Sequence, residues 1–142
     1  MLNKKAPEGA GYEIEWALLC DRVTENDVDG LDFFGVCHRF HMLKNQPARK
    51  CLVIKMRGVG VDVQRGSILH VGDLSITIFN STGNALESLT KDVAWQHGFY
   101  VKTIQVPRTE VGDYTVQILD DLVLMHSFHY SVLDPADQSK LF

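Results

Sequence analysis

The sequence predicts an all-β chain folded as an antiparallel β-sandwich, Ig-like or jelly-roll-like, of about eight strands. Three observations carry the prediction. Apolar residues recur with a period of two, not 3.6, in one segment after another. Clusters of turn formers interrupt those segments at roughly 8 to 14 residue intervals. No stretch has the apolar stripe of an amphipathic helix. Consecutive short strands without helices between them select a sandwich or barrel over βαβ units.

The elements follow in order. In Glu13-Ile14-Glu15-Trp16-Ala17-Leu18-Leu19-Cys20, the residues Ile14, Trp16, Leu18 and Cys20 share one parity, as a strand with one buried face requires, and Trp16 reads as core. Residues 21–30 are rich in turn formers and lead into a second strand, 31–43, with Phe34, Val36, Phe40 and Met42 on one face. These two strands read as an antiparallel pair. Asn45-Gln46-Pro47 interrupts, because proline removes a ladder donor. Residues 51–57 then resume with Leu52, Ile54 and Met56 inward, and 58–71, with three glycines, reads as a loop or a bulged strand.

The alternation of Leu74-Ser75-Ile76-Thr77-Ile78-Phe79, the turn cluster 80–84 and the run 85–93 predict a hairpin. A short helical turn is allowed near 93–98. Residues 99–106 form another strand, closed by Pro107. Tyr114-Thr115-Val116-Gln117-Ile118, a turn at Asp120-Asp121 and the run 122–133, with Leu124, Phe128, Tyr130 and Val132 in phase, complete the domain.

A chain of 142 residues with 45% hydrophobic and 23% charged residues has the size and composition of one globular domain. The organisation expected is a flexible N-terminal segment 1–11, a single domain 12–133 and a polar tail 134–142. The net charge of −4 and the scattering of Lys and Arg lack the basic stripe that phosphates require, which argues against nucleic acid as a partner. Lys4 and Lys5 are followed by Pro, Glu and Gly instead of an apolar signal region, and no apolar run approaches the roughly 18 residues of a membrane span. Cys20, Cys37 and Cys51 are an odd set without a CxxC pair, so reduced, buried thiols are expected in place of a disulfide framework or a zinc ribbon. Together these features point to a cytoplasmic protein.

Ala17-Leu18-Leu19-Cys20-Asp21, followed by Leu31-Asp32-Phe33-Phe34-Gly35-Val36, resembles the opening of a family of small bacterial proteins built on a domain of unknown function. That pattern spans about residues 12–133. Gly112-x-Tyr114-x-Val116-x-Ile118-x-x-Asp121, followed by Phe128-x-Tyr130-x-Val132, is similar to a hairpin found in many Ig-like sandwiches. The resemblance implies a β-sandwich of bacterial origin and brings no activity with it.

Six histidines raise the question of a metal. His38 with His41, and His126 with His129, are spaced by three, which on a strand sends the partners to opposite faces. A cross-strand set is the better candidate: His38 and His126 each share parity with apolar neighbours, and with Asp21 they would suit zinc or iron. The commoner arrangement is two structural imidazoles bonded to backbone or hydroxyls.

No GxSxG elbow is present, and each cysteine sits in an expected strand, so covalent catalysis has no signature. Gly58-Val59-Gly60 lacks the remainder of a phosphate loop. The aspartates at 27, 29, 32, 120 and 121 lack the twelve-residue calcium loop. Trp95, Phe99 and Tyr100 flank His97-Gly98 in an expected connection, and Trp95, His97, Phe99 and Tyr100 are the candidates for an exposed aromatic patch.

The function these features favour is a non-enzymatic binding or assembly module, without cofactor, that contacts a protein partner or a second copy of itself, most simply as a dimer. A small metal-dependent, cupin-like β-barrel enzyme using His38, His126 and Asp21 is the alternative. A carbohydrate or small-ligand module using the aromatic patch is the third reading.

Overall fold

The structure is a computed structural model that describes residues 11–25, 30–59, 68–83, 85–96 and 98–134. The expected N-terminal segment, apart from Gly11, and the tail beyond Asp134 lie outside them. Among the described residues there are ten strands and no helix. They are β1 (Gly11–Cys20), β2 (Arg22–Glu25), β3 (Leu31–Phe34), β4 (Arg39–His41), β5 (Ala48–Val59), β6 (Ile68–Asn80), β7 (Ala85–Gln96), β8 (Phe99–Val106), β9 (Gly112–Asp120) and β10 (Val123–Leu133).

Eight strands are linked in the order β1-β5-β8-β7-β6-β9-β10-β4, and β2-β3 is a separate hairpin. Among the described residues β7 and β8 pair only at Gln96 and Phe99, so the order divides into two layers, β1-β5-β8 and β7-β6-β9-β10-β4. A single hydrophobic cluster lies between them. The chain is thus an all-β sandwich, as its periodicity predicts. The pairings are antiparallel except that of β4 with β10, which is parallel.

Alternation places Leu52, Ile54 and Met56 of β5 opposite Leu74, Ile76 and Ile78 of β6 across the core, with Val116 and Ile118 of β9 beside them. Each such side chain, fully buried, contributes about 1.5–3 kcal/mol relative to exposure. Tyr114 caps one end. Its hydroxyl donates to the carbonyl of Glu110 and accepts from the Glu110 amide, at 3.2 and 3.1 Å. A tyrosine bonded to the backbone a few residues upstream has the form of a tyrosine corner. The Tyr114 ring stacks on Tyr130 at 4.9 Å, and Phe40 meets Tyr130 edge-on at 5.3 Å.

The β6–β7 hairpin forms where expected. Asn80 Oδ1 accepts from the amide and hydroxyl of Thr82, and the Asn80 carbonyl accepts from Gly83, an Asx-type turn. The residues 80–83 supply this chemistry; Asn84 lies outside the described residues.

Four features depart from the sequence-based expectation. First, β1 changes phase at a bulge between Ile14 and Trp16, with Glu15 as the extra residue. Tyr12 and Ile14 face the core before it, and Ala17 and Leu19 after it. Trp16, Leu18 and Cys20 consequently turn to the outer side of the layer, so Trp16 does not enter the main core.

Second, residues 31–43 are not one strand. β3 pairs with β2, inside the stretch read as a turn, and not with β1. Gly35, at φ +70°, redirects the chain, Cys37 bridges Leu19, and β4 crosses to β10. Phe34 and Val36 are exposed, while Phe40 is buried. Gly35 is required twice over, because its φ suits glycine and a Cβ there would lie 2.2 Å from Asp21 Oδ2.

Third, the β2-β3 hairpin covers the outer side of β1-β5-β8. Trp16, Phe33 and Phe99 form a triangle of edge-on rings with centroids 5.8–5.9 Å apart. Val53, fully buried though its parity points away from the main core, belongs to this outer side. Fourth, a bulge between Leu124 and His126 shifts β10, so Leu124 is exposed while Met125 packs against the core.

Candidate functional site

The strands β6, β9 and β10 present an outer face that no other described element covers. From Leu74 onward in β6 and from Tyr114 onward in β9 every second residue is buried, so the alternate set faces outward. The register assembles these into rows: Ser75 beside Leu119 beside Leu124, Thr77 beside Gln117 beside Ser127, and Phe79 beside Thr115 beside His129. Thr115 Oγ1 lies 3.1 Å from His129 Nδ1, and at the rim Ser131 Oγ donates to Asp113 Oδ1 at 3.0 Å.

The three rows contain no charged side chain. They are half-buried or exposed, and their hydroxyls and carboxamide both donate and accept hydrogen bonds. Charge depletion is one mark of an interface centre, and across these three strands it extends over a mixed apolar and hydroxyl surface, with Glu87 of β7 at the next register position beyond Thr77. Beside this face the β9–β10 turn carries Leu122, 91% exposed. Alternation marks the inward parity by its apolar residues and leaves the outward rows without a signature of their own. The available signal was the absence of Lys and Arg from residues 74–79, 113–119 and 127–131.

The residues proposed for a metal do not meet. His38 is exposed, and its carbonyl accepts from Ser131 N at 2.9 Å. His126 lies opposite Ile118, five residues back along β10 from Ser131, roughly 17 Å away at strand rise. Burial in apolar surroundings lowers the His126 pKa from its ordinary value, and its ring lies 6.4 Å from that of Phe128. His126 and His129 occupy opposite faces, as their spacing requires. Asp21 stands at the β1–β2 corner, paired with Lys50, and its amide donates to Phe34 O at 2.8 Å. Among the described residues no group of three His, Cys, Asp or Glu side chains is placed to hold a metal.

The aromatic patch is also redistributed. Phe99 belongs to the Trp16–Phe33 triangle, with Lys55 Nζ 5.4 Å from its ring centroid, and Tyr100 packs against the main core. Both are half-buried and neither forms an open platform. Trp95 is opposite Leu69 in β7, its side chain outside what is described, and His97 lies outside the described residues.

The three cysteines, 14 or more residues apart in sequence, gather at the β1–β2 corner. Cys20 and Cys51 are register partners, and Cys37 bridges Leu19. Their thiols donate to the carbonyls of Arg22, Asp21 and Leu19 at 3.6, 3.9 and 3.7 Å respectively. Cys20 is fully buried, whereas Cys37 and Cys51 are half-buried, which corrects the expectation that all three are buried. Burial raises the Cys20 thiol pKa, with the Cys51 thiol adding to the effect; burial raises that of Cys37 against the opposing charge of Lys50.

No protein-family model matches the chain, and no curated protein matches it. Among solved structures, the chain is similar to an immunoglobulin-like protein from Pseudomonas aeruginosa, determined at 1.50 Å resolution. The two share 8% identity with a TM-score of 0.47, over 89% of this chain and 100% of that one.

Proposed function

We infer that the protein is a non-enzymatic assembly module whose outer β6-β9-β10 face docks against a second copy of itself. The observation that carries this reading is the uncharged composition of that face. A face of serines, threonines and a glutamine can satisfy its own donors and acceptors across a two-fold axis, as an isologous dimer demands. With no charge in the three rows, two copies meet without desolvating ions. The modest net charge of −4 adds little repulsion between them.

The test is light scattering of the full chain at micromolar concentrations, with Gln117→Lys as the variant at the centre of the face. The expected result is a mass of twice 16.0 kDa for the natural chain, and of one chain for the variant with an unchanged circular dichroism spectrum. A natural chain that stays at 16.0 kDa as concentration rises overturns self-assembly and leaves a different protein as the only partner for this face.

A further inference from the structure

We propose that Cys20 and Cys51 form a redox-active cross-strand dithiol, which a small disulfide such as oxidised glutathione converts to an intramolecular disulfide. The two residues are direct partners in the β1–β5 ladder, in a stretch of regular register. Opposed residues point to the same side of a sheet, so both side chains occupy the outer side of the layer. Leu19 turns its carbonyl to Cys37 N at 2.9 Å, away from β5. Alternation therefore turns the polar edge of Cys20 toward Cys51, which makes them a hydrogen-bonded pair with Cα atoms about 5.5 Å apart. That spacing falls within the range that disulfides span.

Exposure assigns the order of events. Cys51 is half-buried and reachable from solvent; Cys20 is fully buried beneath the corner. The Cys51 thiolate attacks one sulfur of oxidised glutathione, forming the mixed disulfide and releasing one glutathione thiolate. Cys20 then loses its proton to solvent, and its sulfur attacks Cys51 Sγ, expelling the second glutathione. Two thiols lose two protons and two electrons, and one glutathione disulfide becomes two glutathione thiols. Burial of Cys20 keeps its thiolate scarce, so the second step is the slower one and accelerates as pH rises.

Cys37 is excluded from the pair by geometry. It faces Leu19, whose side chain is inward, and it packs against the main core. The bond would close residues 20–51 into a loop that holds β2, β3 and β4, the segment that covers the outer aromatic triangle and ties β1 to β10. It would also remove the thiol donors from the Arg22 and Asp21 carbonyls. Oxidation would thereby act on the corner where the two layers are stitched together.

The experiment treats the folded, full-length chain with oxidised glutathione, quenches with acid, alkylates remaining thiols and reads intact mass and disulfide-linked peptides. The expected product is a single chain lacking two hydrogens, with Cys20 linked to Cys51 and Cys37 alkylated. Cys37→Ser should give the same product at a similar rate. Cys20→Ser, checked for folding by circular dichroism, should stop with one glutathione on Cys51. A natural chain that remains fully reduced, that accumulates the adduct without closing, or that links through Cys37 overturns the proposal, and each of these is read without reliance on the variants.

Discussion

Tyr12 and Asp120 meet between the two layers: the phenol donates to Asp120 Oδ2 at 2.7 Å, and both residues are buried. A carboxylate removed from water needs such a donor, because an unpartnered buried charge is costly. Tyr12→Phe keeps the ring and its packing and deletes only the donor. The expected loss is about 1–3 kcal/mol of unfolding free energy, read as a lower urea midpoint at unchanged slope. An unchanged midpoint would mean that water replaces the phenol. At this scale the sequence was partly misleading. Tyr12 precedes the alternating run, Asp120 resembles a turn residue, and their contact links positions 108 apart. Trp16 reads as core for a different reason, since a one-residue bulge reverses parity without leaving a mark in composition.

The β9–β10 hairpin shows how an element can contain strain. Asp120 pairs with Val123, leaving Asp121 at φ 48° and Leu122 at φ 72° as a two-residue loop of type I′ geometry. Both positions suit glycine or asparagine, and an ordinary L-residue there costs roughly 1–2 kcal/mol. Leu122 is almost fully exposed and recovers little by packing. Leu122→Gly should raise stability by about 1 kcal/mol, some of the relief being cancelled by the greater freedom of glycine in the unfolded chain. Thermal melts decide it: a Tm that stays level or falls would show that Leu122 packs in solution. The sequence places this turn one residue early, at Asp120-Asp121, whereas Asp120 pairs with Val123 as the last residue of β9. The segment 31–43 was harder still. Its alternation is real, but Gly35 and the Cys37 bridge divide it between a hairpin and a second sheet.

For the molecule as a whole, two of the buried phenols, those of Tyr12 and Tyr130, couple stability to pH. Burial, and then the hydrogen bond to Asp120, raises the pKa of Tyr12, and burial, with Tyr114 adjacent, raises that of Tyr130. The unfolded chain therefore releases these protons near the ordinary value of 10.0, where the folded one retains them. Their contribution to stability is complete below pH 10.0 and is lost as pH rises above it toward the folded values. The expected outcome is a Tm that falls steeply above pH 10.0, with a shallower fall in Tyr12→Phe. Parallel curves for the two proteins would show that Tyr12 does not contribute to the linkage.

What the sequence determined by itself was the class of fold and the inward parity of β5, β6 and β9, because alternation is a local property set by the pleat and by the need to bury one face. It also located the β6–β7 hairpin, whose turn chemistry lies within residues 80–83. Pairing in three dimensions settles which strands are neighbours, where the bulges in β1 and β10 reverse parity, and that three distant cysteines share one corner while His38, His126 and Asp21 do not share a site. Those outcomes depend on pairing between segments far apart in the chain, where the free energy is that of layers closing on one core and no single segment records its partner.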